Sequence, residues 1–182
     1  GSSASSVEPG AFRWRHPRPN PDTAPPLRLY EAHVGIASDQ PIVAGWTHFR
    51  LRVLPRVVAL GYTGILLMAV QEHAYYASFG YQVTSFFSPS SRFGSPAELQ
   101  ALVDAAHGYG LRVFFELVHS HASANVHDGL NRFDGTEGGY FLTGPDGWHA
   151  EWQTRMFDYS KVEVLRFLLA QLAYFADVYQ CD

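Results

Sequence analysis

The chain has 182 residues, 47% of them hydrophobic and 15% aromatic, enough to bury a sizeable core within one ordinary domain. A net charge of -4 gives no electrostatic reason to expect nucleic acid or an anionic membrane as partner, since those need a clustered basic face, and no apolar run approaches the length that spans a bilayer. The single cysteine, Cys181, excludes an internal disulfide framework and fits a reducing compartment. The start, GSSASSVEPGAF, has neither a basic n-region nor an apolar h-region, so it does not support secretion, and it has no arginine before Arg13 to support a transit peptide.

Residues 1–26 carry HPRPNPDTAPP, which holds neither helix nor central strand; they read as a Pro-rich linker or extension running over a surface. Leu27 to Tyr30 is a short apolar run predicted as a buried strand. From Trp46 to Leu60 the apolar residues Phe49, Val53, Val57 and Leu60 follow helical spacing, with Pro55 expected to kink or divide the helix and Gly61 to cap it. Ile65 to Val70 is the second buried strand.

The next helix has the clearest local signal in the chain. Ser95 is its N-cap, Pro96 stands at the first helical position, and Glu98 is placed to close a capping box. Leu99, Leu102, Val103 and Ala106 form its apolar stripe, and Gly110 ends it before a third strand, Leu111 to Val118. His119 to Ser160 is too long for a simple connection and reads as a functional segment or small subdomain. Val162, Leu165, Leu169, Leu172 and Ala176 mark one face of a final long helix.

Alternating near-continuous apolar strands and helices predict an α/β fold with a parallel sheet. A doubly wound sheet would bind ligand through a Gly-rich first turn, which EAHVGIASDQ does not supply. A (β/α)8 TIM barrel places function in the loops after its strands, where the chemically rich loops of this chain fall. Three βα units are present against the eight of a whole barrel, so the fold expected is a partial (β/α)8 barrel with a long loop after the third strand.

The second exit loop, HAYYASFGYQVTSFFSPSSRFGSP from His73 to Pro96, is the most distinctive segment. Its rings at Tyr75, Tyr76, Phe79 and Tyr81 suit stacking on sugar faces, although aromatic packing alone would also explain them. His119 and His121 form an HxH that could enter a metal site, but no HExxH motif or Cys partner supplies the remaining ligands, and no metal is expected. Asp128, Asn131, Asp134 and Thr136 in DGLNRFDGT are residues that build Asx-type turns. Trp148 and Trp152 serve equally well as a sugar platform or as anchors of the loop to the core.

Taken with ELVHSHAS from Glu116 and with DGLNRFDGT, the loop strongly resembles the starch and glycogen branching enzymes of the α-amylase superfamily, over nearly the whole chain from LRLYEAHVG onward. Leu66, Leu142 and Val162 depart from the usual family residues and mark a divergent member. The resemblance implies an α-glucan (amylose, amylopectin or glycogen) as partner and no metal or organic cofactor; it does not name the compartment, for which cytoplasm or plastid stroma is favoured over secretion. It maps the tyrosine under the sugar beside the scissile bond onto Tyr81 and the sugar-binding histidine onto His121. Glu116 stands where the family has aspartate, and with His119 it falls among supporting residues. Arg92 is a structural donor to the loop, and Asp128, Asn131 and Asp134 border the cleft.

The reaction implied is retaining transfer of an α-1,4-glucan to a 6-hydroxyl, with nucleophile and acid on later strands than those present. The 182-residue polypeptide is therefore expected to be inactive by itself, with the rest of the barrel as its partner. It is either part of a branching enzyme or a non-catalytic glucan-binding or regulatory protein derived from one; a nucleotide-binding α/β domain is the distant third reading.

Overall fold

A computed structural model describes residues 12–182. Its centre is a three-stranded parallel sheet in the order β1 (Leu29–His33), β2 (Gly64–Met68), β5 (Arg112–Phe115). Register runs from Leu29 opposite Gly64 and from Gly64 opposite Arg112. Ile65, Leu67 and Val113 are fully buried, as expected of strands in a sheet covered by helices.

The first crossover contains α1 (Trp46–His48), a π-helical segment (Phe49–Val53) and α2 (Leu54–Ala59). Pro55, in the first turn of α2, has no N–H to donate, and the widened turn just before it is how the chain stays helical. The widening also rotates the apolar stripe. Phe49, Leu54 and Val57 are buried, while Leu60, expected inside, is 72% exposed. Gly61 then takes the left-handed conformation, φ 80°, that ends the helix.

The second crossover begins with the short antiparallel pair β3 (Gln71–Glu72) and β4 (Ser85–Pro89). It continues into α3 (Pro96–Gly108), where the Ser95 side chain accepts from the Glu98 N–H and Glu98 reaches back to the Ser95 N–H at 2.8 Å. The same Glu98 carboxylate accepts from the Thr47 hydroxyl at 2.7 Å, so the cap also ties α3 to α1. Leu99, Leu102, Val103 and Ala106 are all fully buried against the sheet.

The long segment after β5 folds as a second, antiparallel sheet in the order β6 (His121–Ser123), β8 (Thr154–Met156), β7 (Trp148–His149). Arg155 in β8 organises it. The residue is 7% exposed, and its guanidinium donates to the carbonyls of Gly147 and Leu142 and to the Asn131 side chain, while lying over the Phe141 ring.

The last helix, α4 (Val162–Tyr179), joins two hydrophobic clusters. Val164 and Leu168 pack with Val83, Phe86, Ala122, Phe141 and Phe157; Phe175, Val178 and Tyr179 pack with the sheet, α1, α2 and α3. The face expected to be buried is the other one: Val162, Leu165, Leu169 and Leu172 are exposed, Leu169 by 64%. The segment is apolar nearly all round, so periodicity alone does not choose between its faces.

Residues 12–26 run across the N-terminal ends of the strands; the part of the extension before them lies outside the described residues. Asp104 of α3, 1% exposed, accepts from the backbone N–H groups of Arg15 at 2.7 Å and His16 at 3.0 Å. Arg18 donates to the Ala176 carbonyl, Arg112 to the Pro25 carbonyl, and the Thr63 hydroxyl to the Pro26 carbonyl. Among the described residues no helix is long and apolar enough to cross a membrane.

Candidate functional site

At the opposite, C-terminal ends of the strands lies a cleft of about 790 Å³. Three segments form it: the loop after β2, the segment after β5, and the β7–β8 turn. Exit loops at this end of parallel strands are where such a fold gathers chemistry.

Tyr81 is brought into the cleft by a strained approach of backbones. Gly80, φ 89°, passes so close to Ala69 that a Cβ on it would stand 2.4 Å from the Ala69 Cα, and Ala69 itself has φ 59°. Tyr81 is 39% exposed. Its hydroxyl donates to Glu116 Oε1 at 2.9 Å, and its backbone carbonyl accepts from His121 Nε2 at 2.7 Å. One residue is thus held at both ends by groups from the segment after β5. Burial, the bond to Glu116 and the negative charge there push the Tyr81 phenol up to about 12. Glu116 Oε2 is buried and has no protein partner.

His121 is buried, and burial lowers its pKa. Nε2–H donates to the Tyr81 carbonyl, which can only accept, and Nδ1 meets the Ser120 hydroxyl at 2.8 Å; in the neutral ring that burial favours, that hydroxyl is the donor. His119 turns elsewhere, its Nε2 meeting Gln171 Oε1 of α4 at 2.5 Å. The two histidines of the HxH therefore point at different partners, and among the described residues no group of His, Cys, Asp or Glu is placed to hold a metal ion.

Arg92 lies outside the cleft. It donates to the Ala74 carbonyl at 3.0 Å and sits over the Tyr76 ring, holding the loop that carries Tyr81. Asp128, Asn131 and Asp134 do not line the cleft either. Asp134 accepts from the Thr136 N–H and hydroxyl, Asp128 from the Asn125 amide, and Asn131 bridges the Ala124 carbonyl and Arg155. Sequence reasoning missed Gln82 and Glu151 as cleft residues and left Trp152 open between platform and anchor; all three line it. Glu151 and Trp152 arrive on a turn between strands of two and three residues, too short to announce themselves by alternation.

The alpha-amylase catalytic-domain profile matches residues 52–153, more than half of the chain. The chain belongs to the alpha-amylase family. It is 54% identical over 174 residues to the 1,4-alpha-glucan-branching enzyme of Saccharomyces cerevisiae, 52% identical over 171 residues to that of Equus caballus, and 51% identical over 171 residues to 1,4-alpha-glucan-branching enzyme 2-2 of Arabidopsis thaliana. Each match takes in 94% of this chain but only 25%, 24% and 21% of the relative, so the chain spans about a quarter of the curated relatives' length. Among solved structures, the maltogenic alpha-amylase AmyB of Thermotoga neapolitana superposes with a TM-score of 0.70 at 18% identity, over 86% of this chain and 37% of that one. The fold is accordingly part of an alpha-amylase-type (β/α)8 barrel, with three of its parallel strands and no closure.

Proposed function

We propose that the chain forms the first portion of the glucan cleft of a 1,4-alpha-glucan-branching enzyme, acting on starch- or glycogen-type α-glucan. The observation that carries this reading is the grip of Glu116 and His121 on Tyr81 at the mouth of the cleft, in a chain about half identical to branching enzymes throughout. Tyr81 supplies the flat face under a sugar ring. His121 stands beside it, and a sugar hydroxyl reaches its ring nitrogens by displacing Ser120 or the Tyr81 carbonyl. Glu116 sets the ring, while His119 and Arg92 brace the two loops, and Asp128, Asn131 and Asp134 shape the connection behind them.

Glycosyl transfer with retention needs two carboxyl groups about 5 Å apart across the bond that breaks. Among the described residues the carboxylates lining this cleft are Glu116 and Glu151, and one oxygen of Glu116 is already committed to the Tyr81 hydroxyl. The 182-residue polypeptide by itself holds glucan without transferring it; this is also what favours the second reading, a glucan-binding protein without catalysis.

The test exchanges the matching 174-residue segment of the Saccharomyces cerevisiae enzyme for the corresponding part of this chain and measures new α-1,6 linkages in amylose. Activity in the chimera, lost with Tyr81→Ala, is expected. A chimera that folds and binds amylose but makes no branches would favour the non-catalytic reading. Branching by the pure 182-residue chain would refute the division of labour.

A further inference from the structure

We infer that Trp152, at the tip of the β7–β8 turn, is a second sugar platform in the cleft, stacking on a glucose unit of the same α-glucan away from Tyr81. This rests on the glucan reading above and adds a subsite to it. Trp152 is 53% exposed although it belongs to the residue type with most to gain from burial. It is nevertheless not loose. One face is stacked on the His149 imidazole, with centroids 3.9 Å apart and planes 9° from parallel. The Trp152 N–H donates to His149 Nδ1 at 3.3 Å, and the Gln153 N–H to the His149 carbonyl at 2.8 Å, so the four-residue turn is closed by the residue that supports the ring. The Trp152 carbonyl accepts from Gln82 Nε2 at 2.9 Å, which ties the tip to the loop carrying Tyr81. Below it, buried Arg155 fastens β8 to the carbonyls of Gly147 and Leu142.

An exposed ring held by four separate constraints is preorganised, and a preorganised aromatic surface loses little entropy when a ligand covers it. Its location names the ligand class. The indole lines the same cleft as Tyr81 and lies 5.1 Å from the His121 ring. A space of about 790 Å³ is large enough for a ligand of more than one sugar ring. Glu151, adjacent on the turn and also lining the cleft, supplies a carboxylate to accept from sugar hydroxyls while the indole covers the apolar C–H face. Trp148, exposed on β7, does not line the cleft, so only one of the two tryptophans of this segment faces ligand.

The experiment titrates the 182-residue chain with maltoheptaose, following affinity by calorimetry and the Trp152 indole N–H by NMR. Trp152→Ala is expected to weaken binding roughly 10-fold, and Trp148→Ala to leave it within about 2-fold. The Trp152 indole signal of the unmodified chain shifts on addition of the oligosaccharide, a readout that does not depend on any variant folding. Binding with an unmoved Trp152 signal, or with unchanged affinity in Trp152→Ala, overturns the platform and leaves the glucan reading standing. Absence of maltoheptaose binding by the unmodified chain overturns both.

Discussion

Replacing Asp104 with alanine removes the main attachment of residues 12–26 to the body of the fold. The carboxylate is 1% exposed and accepts two backbone N–H groups, from Arg15 at 2.7 Å and His16 at 3.0 Å. Hydrogen bonds to a charged group contribute about 1.5–3 kcal/mol each. Because both end on one oxygen and the freed amides return to water at the surface, the pair together is worth about 3 kcal/mol. The Arg15 side chain is 71% exposed, so its ion pair with Asp104 adds little. For a chain of this size each kcal/mol moves the midpoint by roughly 2–4 °C, giving a fall of about 6–12 °C in a thermal melt followed by circular dichroism. Asp104→Asn keeps an oxygen for both amides and should fall by about half as much. Burial opposes ionisation of Asp104, but the two backbone amides and His16 outweigh it and hold its pKa below the usual aspartate value. Its contribution is thus complete above about pH 4 and disappears as pH falls through the lowered folded value, so wild type and Asp104→Ala should converge in strong acid. A melt of Asp104→Ala within about 1 °C of wild type at pH 7, with residues 12–26 equally protected from protease, would show that the extension is not anchored in this way.

His33 and His73 carry the next expectation. Both have pKa values lowered by burial, neither His33 ring nitrogen has a partner, and the His33 ring packs edge-on against Tyr76, Phe79 and Phe93. The unfolded chain binds protons at these sites more readily than the folded one, so stability is lost below about pH 6.5 at up to about 1.4 kcal/mol per pH unit for each histidine. His33→Phe should flatten that slope in urea unfolding between pH 5 and 7; an unaltered slope refutes the assignment. At Gly80, a Cβ would overlap Ala69 backbone where φ is 89°, so Gly80→Ala should cost more than about 2 kcal/mol and abolish glucan binding by displacing Tyr81. A Gly80→Ala variant with wild-type stability in urea would contradict the close approach.

What was legible in the sequence was whatever local chemistry determines. Ser95, Pro96 and Glu98 announce the start of α3 because each satisfies a backbone group within one turn. The parallel strands announce themselves by short apolar runs, but β1 proved to begin at Leu29, two residues later than its run suggested, and as an edge strand it leaves Leu29 40% exposed instead of buried. The side of α4 that faces inward was not legible, because Leu165 and Leu169 are as apolar as Val164 and Leu168, and only the tertiary fold distinguishes them. Nor was the role of Arg155 visible, since its partners, Asn131, Leu142 and Gly147, are brought to it by the turns of the long segment. At the site, the motifs directed attention to Tyr81, Glu116 and His121, but that both of the others hold Tyr81 depends on loops brought together from 35 and 40 residues apart.

The passage of α4 through both hydrophobic clusters makes the two sheets one cooperative unit. Val164 and Leu168 lie in the cluster under the antiparallel sheet, and Phe175, Val178 and Tyr179 in the one under the parallel sheet. Opening either sheet far enough to expose its interior therefore unravels part of the same helix, and amides in β8 should exchange with deuterium at rates linked to those in β5. Mechanically, α4 is a tie-beam that links the hairpin wall of the cleft to the distant sheet, beside the Arg155 and Gln82 bonds that hold the wall locally.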